Sequence, residues 1–378
     1  MPAFLRTKIP VLMLTLAAVL SHTAASAEAK AAAALAQGSW RFIVSGDSRN
    51  CGDVVMPTIA AHSAQFAPAF YWHLGDLRAI FKIDEDMAAA SHKKGEALSC
   101  ETYRRLAWPD FEENQIAPFG NLPFYLGIGN HEVMPPKNTE AFKREFFEWL
   151  DLPALHRQRD IDREPGTPQT YFHWIQGGVD FLYLDNAQGF FSEDQLTWFF
   201  RRLQGARYNS SVKSLVVGMH EALPDSIANN HSMGDSDDPR GRATGEMVYK
   251  AVASFQEKSK KPVYLLASHS HFYMENIFDT AKLKENGAKP LPGWITGSGG
   301  AVRYKLPDGA PPSAKTEVYG YLVGTVSASG TIEFAFEEVH ESDAPTYVRQ
   351  RYPDTLIPWC FARNSQIKDP HDPDPTCP

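Results

Sequence analysis

The sequence predicts an α/β fold, in which strands buried on both faces alternate with helices. Short apolar runs indicate the strands, and most of them end in Gly, Ser, Asn or His before the chain turns polar. Helix-like segments such as 139–150, 192–203 and 245–258 lie between them. This alternation is typical of a sheet that helices cover on its faces. The runs are RFIVSG (41–46), AFYWHLG (69–75), LPFYLGIG (122–129), VDFLYLDN (179–186), SLVVGMH (214–220) and PVYLLAS (262–267).

Two further patterns complete the predicted elements. Ser192, followed by Asp194 and Gln195, is predicted to cap the helix 192–203 at its N-terminus. After residue 290 the pattern changes to strands and turns, in WITGSGG, YGYLVGTVSAS and TIEFAFEEV. A chain of this length could form two domains, but no flexible linker divides it, so we predict one large domain.

The first 27 residues are predicted to be a secretory signal peptide. Arg6 and Lys8 precede the apolar run VLMLTLAAVL, and residues 25–27 (Ala-Ser-Ala) offer a cleavage site. The run is too short to span a bilayer, and no later stretch approaches about 18 consecutive apolar residues. We therefore predict an exported protein, periplasmic or secreted, with no membrane span after signal cleavage.

The charge of the chain limits its partners. The formal net charge is −8, and loss of the signal peptide would make the remainder more acidic. An acidic surface argues against nucleic acid or anionic lipid as the main partner. A small anionic substrate remains compatible, because a metal site can outweigh the global charge locally.

Export makes disulfides available to the four cysteines, Cys51, Cys100, Cys360 and Cys377. Four cysteines permit three pairings, among which the sequence does not choose. We prefer Cys51–Cys100 and Cys360–Cys377, since the second bond would pin a Pro-rich tail at 341–378. A metal-binding role is disfavoured, because the close C-x-x-C spacing of zinc sites is absent.

Side chains of metal-ligand type follow five of the six predicted strands. In open α/β folds the functional groups lie at the carboxyl ends of the strands. His269 and His271 stand two residues apart in LLASHSHFYM (265–274), so an extended backbone would point them to the same side. Each residue alone has a structural explanation, but their shared position indicates a common site. The residues are Asp47, Asp76, Asn130 with His131, His220, and His269 with His271.

This set of oxygen and nitrogen ligands predicts a transition-metal centre. Carboxylates, one amide oxygen and several imidazoles suit Zn, Fe or Mn better than Ca or copper–thiolate chemistry. A shared aspartate could bridge two ions a few Å apart, which is the arrangement used to clamp phosphoryl transfer. One or two divalent or trivalent ions are therefore expected, of unknown identity.

The motifs resemble those of calcineurin-like metallophosphoesterases, in the same order along the chain. They are GDSR (46–49), GDLR (75–78), GNHE (129–132), MHEALP (219–224) and SHSHFY (268–273). The flanks YFHWIQGGVDFLYLDN, EDQLTWFFRRL and WITGSGG look nearest to the purple acid phosphatase branch, and the resemblance runs from about residue 40 to 335. It implies a sandwich of two mixed β-sheets flanked by α-helices, with a catalytic domain at 28–340 and the tail at 341–378.

The resemblance also implies a role for each residue of the site. Asp76 would bridge the two ions, and His131 would stay off the metal, near the leaving group, as proton donor or charge stabiliser. Asn130 and His131 would contact the substrate. The other implied metal ligands are Asn130, His220 and His269 for the second site, and Asp47 and His271 for the first.

The function so implied is hydrolysis of a small phosphate ester by metal-activated water, with monoesters favoured. One alternative is a phosphodiesterase or nucleotidase. Another is a degenerate member of the family that binds a phosphorylated ligand without turnover. The oligomeric state is not predicted.

The first motif departs from the family pattern. That pattern is D-x-H or, in the purple acid branch, D-x-G with a tyrosine three residues after the bridging aspartate; here Arg49 and Ala79 occupy these positions. Arginine does not lose its proton, so it cannot be a ligand. We predict that Arg49 turns outward, binds a phosphate oxygen bidentately and leaves the first site weakly filled. The alternative is that Arg49 pairs with a carboxylate such as Asp53.

A few other residues complete the expectations. Glu132 is expected to orient the turn of the third motif, and Glu221 stands where relatives often carry a second histidine. His73 and His173 lie in strand-like runs and are expected to be packed. The polar loop 224–246 is interpreted as a binding loop or lid, with disordered decoration as the alternative.

Overall fold

Two β-sheets packed face to face form the centre of the protein. The computed structural model describes residues 38–164, 166–228, 230–235, 238–285, 290–363 and 377. Within these ranges the strands are β1 (Trp40–Ser45), β2 (Tyr71–His73), β3 (Phe124–Leu126), β4 (Phe172–Gln176), β5 (Val179–Leu184), β6 (Ser214–Met219), β7 (Val263–Ala267), β8 (Tyr273–Glu275), β9 (Gly293–Thr296), β10 (Tyr319–Val326) and β11 (Ile332–Val339). One sheet has the order β11-β10-β1-β2-β3, and the other has the order β4-β5-β6-β7-β9-β8.

Both sheets are mixed. In the first, β1, β2 and β3 run parallel, while β10 pairs antiparallel with both β1 and β11. In the second, β5, β6, β7 and β9 run parallel, and the edge strands β4 and β8 are antiparallel to their neighbours. Each predicted strand is present within a few residues of its expected position. The predicted sandwich of two mixed sheets flanked by helices is confirmed.

Helices connect the strands and cover the sheets. The α-helices are α1 (Gly52–Ser63), α2 (Glu85–Lys93), α3 (Cys100–Phe111), α4 (Thr139–Glu145), α5 (Phe147–Leu150), α6 (Pro153–Asp162), α7 (Glu193–Tyr208), α8 (Pro239–Ser259), α9 (Ala281–Lys284), α10 (Thr346–Arg351) and α11 (Leu356–Pro358). The predicted helix 139–150 is divided at Phe146 into α4 and α5. The predicted cap of α7 is confirmed, because the Ser192 side chain accepts a hydrogen bond from the Gln195 N–H.

Aromatic rings fill the space between the sheets. The Phe42 and Phe181 rings, one from each sheet, meet edge to face with centroids 5.0 Å apart. Trp72 meets Trp174 across the same space at 5.3 Å. A second core lies between the outer face of the β4–β9 sheet and helices α7 and α8, where Phe199 and other apolar side chains are fully buried. Because the strands are buried on both faces, they hold the loops at their carboxyl ends firmly in place.

The disulfide pairing that we preferred is wrong. Cys51 bonds Cys360, and Cys100 bonds Cys377, with Cα atoms 5.9 and 5.7 Å apart. The segment that contains α10 and α11 packs into the main core, through Val348 among others, and brings Cys360 to the start of α1. The C-terminal cysteines are therefore joined to the body at two points and not to each other.

Two further expectations concern the signal peptide and membrane-spanning helices. The predicted signal peptide, residues 1–27, lies outside the described residues. In the ranges that the structure does describe, no helix combines the length and the apolar character that a membrane crossing requires.

Candidate metal centre

The loops after β1, β2, β3, β6 and β7 meet at one edge of the sandwich and carry the predicted site residues. Asp47, Asp76 and His269 follow their strands within three residues and have left-handed backbones, with φ values of 58°, 61° and 66°. Such a conformation is costly for a residue with a side chain, and it is tolerated where the surrounding structure enforces it. Here the sharp turn directs each side chain back over the strand ends.

Two glycines allow the loops to approach this closely. A Cβ atom on Gly129 would lie 2.4 Å from Asp76 Oδ1, and one on Gly297 would lie 2.7 Å from Asp47 Oδ2. Real Cβ atoms do not come this close to other atoms, so a side chain at either position would displace a predicted ligand. The glycines of GNHE and WITGSGG are thus explained by the geometry of the centre.

Four hydrogen-bond acceptors converge in the first of two groups of side chains. His220 Nε2 lies 3.0 Å from Asn130 Oδ1, 3.0 Å from His269 Nδ1 and 3.3 Å from Asp76 Oδ1. His220 Nδ1 lies 3.0 Å from the Leu74 carbonyl oxygen and donates its proton there, which leaves a lone pair on Nε2. Asp76 Oδ1, Asn130 Oδ1 and the unprotonated His220 Nε2 offer only lone pairs, which repel one another unless a cation stands between them. This donor set, which we call the Asn130 group, therefore fits a transition-metal ion.

A second set, the Asp47 group, consists of Asp47, Asp76 and His271. Their ligand atoms all lie within 4.8 Å of one another, and His271 Nε2 is 3.4 Å from Asp47 Oδ1. His271 Nδ1 lies 2.6 Å from the Val302 carbonyl oxygen and donates to it, so the Nε2 lone pair faces the group. Asp47 Oδ1 and Asp76 Oδ2 are buried without a hydrogen-bond partner among the described residues. Asp76 belongs to both groups, which is the geometry of a bridging residue.

Arg49 lies inside the Asp47 group, so the predicted outward turn is wrong, while the alternative of a carboxylate partner holds with Asp76 in place of Asp53. Its side chain does not turn outward, since only 4% of the residue is exposed. Nη2 lies 3.2 Å from His271 Nε2 and 3.2 Å from the Tyr304 hydroxyl, and Nε lies 3.8 Å from Asp76 Oδ2. The group thus already contains a cation, and it does not fit a metal ion as the Asn130 group does.

The alternative partner of Arg49, Asp53, is bound elsewhere. Arg78, the last residue of GDLR, is fully buried and pairs with Asp53 and with three other aspartates, Asp84, Asp86 and Asp110. Tyr352 also donates to Asp53 Oδ2 at 2.9 Å. This cluster lies directly behind the loop of Asp76, and Arg78 compensates part of the buried negative charge.

The charges of the centre depend strongly on one another. Burial raises the pKa of Asp76 well above its ordinary value, and the neighbouring Asp47 raises it further. Burial would lower the pKa of Arg49, but Tyr304, Asp76 and Asp47 outweigh burial and hold that pKa above its ordinary value. Two adjacent buried carboxylates become ionised only beside positive charge. Arg49 supplies one such charge, and an ion in the Asn130 group would supply the rest.

His131 lies beside both groups and belongs to neither. Its Nδ1 donates to the Ala79 carbonyl oxygen at 2.6 Å, and its Nε2 lies 3.4 Å from Asp76 Oδ2. Burial, with Arg49 as the next contributor, lowers the pKa of His131 well below its ordinary value. The Phe81 ring packs against the imidazole at 5.2 Å. The ring is therefore fixed in one orientation next to the carboxylate that the two groups share.

Polar side chains behind the centre hold the loops together. Glu132 accepts from the backbone N–H groups of Asp76, Leu77 and Gly129 at 2.9, 3.0 and 2.8 Å, so it orients the turn as expected. Burial and then Asp76 raise the pKa of Glu132 to about 8, and the three N–H donors partly offset this. Asn186, at the end of β5, accepts from the backbone N–H of His220 at 3.1 Å.

The two histidines that we expected to be packed are buried. His73 Nε2 lies 2.9 Å from the Ser48 hydroxyl. His173 lies between two carboxylates, with Nδ1 2.8 Å from Asp180 and Nε2 2.6 Å from Asp162. Neither residue reaches the metal-ligand groups. Glu221 follows His220 in the loop, and burial followed by Asp76 raises its pKa to about 8.

Sequence reasoning missed two rings that cover the candidate ligands His271 and His269. Tyr304 stacks on His271 with centroids 3.9 Å apart, and His231 stacks on His269, also at 3.9 Å. His231 belongs to the predicted loop 224–246, in the part that precedes α8, and its Nδ1 is buried without a partner among the described residues. Nothing in the spacing of these residues relates them to the motifs, because the contacts cross more than 30 residues of chain. The rings restrict how the two imidazoles can turn.

Comparisons with known proteins inform only the fold. No protein-family model matches the sequence, and no curated protein matches it either. Among solved structures, the chain is similar to purple acid phosphatase PPD1 from yellow lupin (Lupinus luteus) seeds, with a TM-score of 0.51, 15% identity and coverage of 82% of this chain. It covers 56% of the lupin protein. A structure of PhoD matches with a TM-score of 0.46, 16% identity and coverage of 79% of this chain and 68% of that one. At such identities the likeness to the lupin protein shows a shared fold.

Proposed function

We propose that this protein is a metal-dependent phosphoester hydrolase with phosphomonoesters as its favoured substrates. One observation carries the proposal: oxygen and nitrogen atoms of Asp76, Asn130 and His269 that could bind a metal lie within 3.3 Å of His220 Nε2. The fold shared with a purple acid phosphatase supports it, since the side chains occupy the edge of the sandwich where strands end. Nucleic acid is not proposed as a partner, because the net charge is −8.

In this proposal the Asn130 group holds the ion. A bound divalent or trivalent ion, of Zn, Fe or Mn type, would activate the attacking water and neutralise charge on the phosphate oxygens. Asn130 is the most exposed of its four ligands, so the phosphate enters from its side. Asp76, which belongs to both groups, would hold the ion through one oxygen and faces Arg49 with the other.

Arg49 and His131 act directly on the substrate. The Nη1 atom of Arg49 has no hydrogen-bond partner among the described residues, so it can donate to a phosphate oxygen. His131 donates its Nδ1 proton to Ala79, which leaves Nε2 to face the reacting group. Burial and Arg49 disfavour a second proton on His131, so Nε2 would take one up beside the negative charge of the bound phosphate and pass it to the leaving oxygen.

The cellular setting and domain layout belong to the same proposal. A signal peptide at 1–27, a catalytic domain at 28–340 and a tail at 341–378 describe a periplasmic or secreted enzyme. The two disulfides support export, because such bonds persist in oxidising compartments.

The test is turnover after controlled metal loading. Purified protein is stripped with a chelator, reloaded separately with Zn, Mn, Fe or Co, and assayed with p-nitrophenyl phosphate and bis(p-nitrophenyl) phosphate. Hydrolysis of the monoester at the higher kcat/KM supports the proposal, whereas preference for the diester would move it to a phosphodiesterase. The position of Arg49 inside the Asp47 group favours one further candidate, a protein that binds a phosphorylated ligand without turnover. Zero turnover with every metal, together with phosphate binding, would establish that candidate.

A further inference from the structure

We infer that the guanidinium of Arg49 takes the place of a metal ion in the Asp47 group, so the protein binds one ion and not two. The inference deepens the proposed function and rests on it in one respect, namely that the Asn130 group binds an ion. The substrate phosphate would then lie between one metal ion and one guanidinium.

The first argument is the use of the His271 lone pair. Because His271 Nδ1 donates to Val302, only Nε2 could bind a metal. That lone pair accepts a hydrogen bond from Arg49 Nη2 at 3.2 Å. Metal binding at His271 would therefore require the removal of this bond and of the guanidinium itself. Arginine does not lose its proton under usable conditions, so its charge remains and opposes a second cation.

The second argument is that Arg49 is held in place from several sides. Its Nη2 also donates to the Tyr304 hydroxyl at 3.2 Å, and the Phe81 ring stands 5.9 Å from its guanidinium carbon. The next residue is anchored by its backbone N–H, which donates to Asp84 at 2.6 Å, and by its side-chain oxygen, which accepts from the Val302 N–H at 3.2 Å. Cys51 then ties the same loop to Cys360. An outward turn of Arg49 would have to break these contacts or move a loop fixed on both sides.

The third argument is charge balance. Asp47 and Asp76 together bring two buried carboxylates, and their outer oxygens, Asp47 Oδ1 and Asp76 Oδ2, lack hydrogen-bond partners among the described residues. Arg49 faces Asp76 Oδ2 with Nε at 3.8 Å. The guanidinium balances one of the two negative charges, and an ion in the Asn130 group would balance the other through the shared Asp76. One ion therefore suffices for both carboxylates, and the N–H donors of Arg49 remain available to a phosphate oxygen.

Metal stoichiometry and affinity provide the test, and neither depends on turnover. Elemental analysis and calorimetric titration of stripped protein with Mn²⁺ should give one ion for the wild type. His269→Ala should abolish that binding, whereas His271→Ala should keep one ion with nearly unchanged affinity. Arg49→His should raise the stoichiometry to two, and Arg49→Lys, which retains a cation, is the matched control and should stay at one.

Electron paramagnetic resonance of the Mn²⁺-loaded wild type covers the case in which a variant fails to fold. An isolated six-line signal at saturation is expected, and an exchange-coupled signal from two ions would overturn the inference. So would two ions per wild-type chain, or loss of the ion in a folded His271→Ala protein. Zero bound ions would overturn both the inference and the proposed function. One bound ion with no hydrolysis of any ester would remove the proposed function alone.

Discussion

Arg49 Nη2 lies 3.2 Å from Nε2 of His271, the nitrogen that would otherwise face a metal ion. The two residues are 222 positions apart in the sequence and belong to loops of different sheets. This contact distinguishes the two groups of the centre. The Asn130 group consists of side chains that can donate lone pairs to a metal ion, whereas the Asp47 group contains the guanidinium of Arg49. This asymmetry distinguishes the roles of residues that look equivalent in the sequence.

Asp76 and His131 should respond differently to substitution. Asp76→Asn should lose most bound metal and activity, because a neutral amide compensates cations poorly. His131→Ala should keep its metal and lose rate by about 10²–10⁴-fold, since its proposed role is proton transfer. Elemental analysis beside steady-state kinetics separates the two. Equal metal loss in both variants would contradict this division of roles.

His231 should stabilise the metal site through its ring. Stacking of such rings is worth about 0.5–1.5 kcal/mol, so His231→Ala should weaken metal binding by roughly 2–10-fold. His231→Phe keeps the ring that stacks on His269 and should restore the affinity. Calorimetric titration of both variants checks this. If the phenylalanine variant binds metal as weakly as the alanine variant, the effect of His231 on metal affinity comes from its Nδ1 and not from stacking.

Arg78 should contribute strongly to the stability of the fold. Arg78→Met leaves Asp53, Asp84 and Asp86 buried beside one another, and breaking a buried ion pair costs about 3–5 kcal/mol. Arg242→Met, which removes the partly exposed pair with Asp225, is the control and should cost less than about 1 kcal/mol. Denaturant unfolding measures both. Similar losses in the two variants would refute a structural role for the cluster.

His173 should make stability depend on pH. Burial would lower its pKa, but Asp180 and Asp162 outweigh burial and raise the pKa to about 9, against 6.5 ordinarily. A raised folded-state pKa stabilises the protein fully below the ordinary value, and this contribution is lost as the pH rises through about 9. The His173→Gln variant lacks this contribution. The difference in unfolding free energy between the wild type and the variant should therefore shrink by on the order of 3 kcal/mol between pH 6 and pH 10. Unfolding with chelator present excludes metal effects, and a constant difference would contradict the charged state.

The disulfide beside Arg49 should affect both stability and activity. Thiol titration without reductant should find no free cysteine, and peptide mapping should recover Cys51 with Cys360. The double variant Cys51→Ser/Cys360→Ser should lose about 2–5 kcal/mol of stability. It should also raise KM for a phosphomonoester, because the loop of Arg49 loses one anchor. An unchanged KM in a folded double variant would show that the disulfide does not help to position Arg49.

Much of the fold, and the meeting of the candidate ligand residues at one edge, could be predicted from the sequence. Buried strands appear as apolar runs, and side chains placed after them at Asp47, Asp76, His220 and His269 meet at one edge because strand direction is repeated within a sheet. Each of these signals is local, so it can be recognised in the sequence without knowledge of the folded chain.

The tertiary structure alone decided which residues became partners across the chain. The sequence predicted an outward Arg49, but burial, Tyr304 and His271 hold it inside the Asp47 group. The cysteine pairs followed the packing of α10 and α11 on the body and not proximity in the chain. His231 met His269 only because a loop folds back over β7. Such contacts join residues whose sequence separation carries no periodic signal, so they are determined by packing and charge compensation in the folded state.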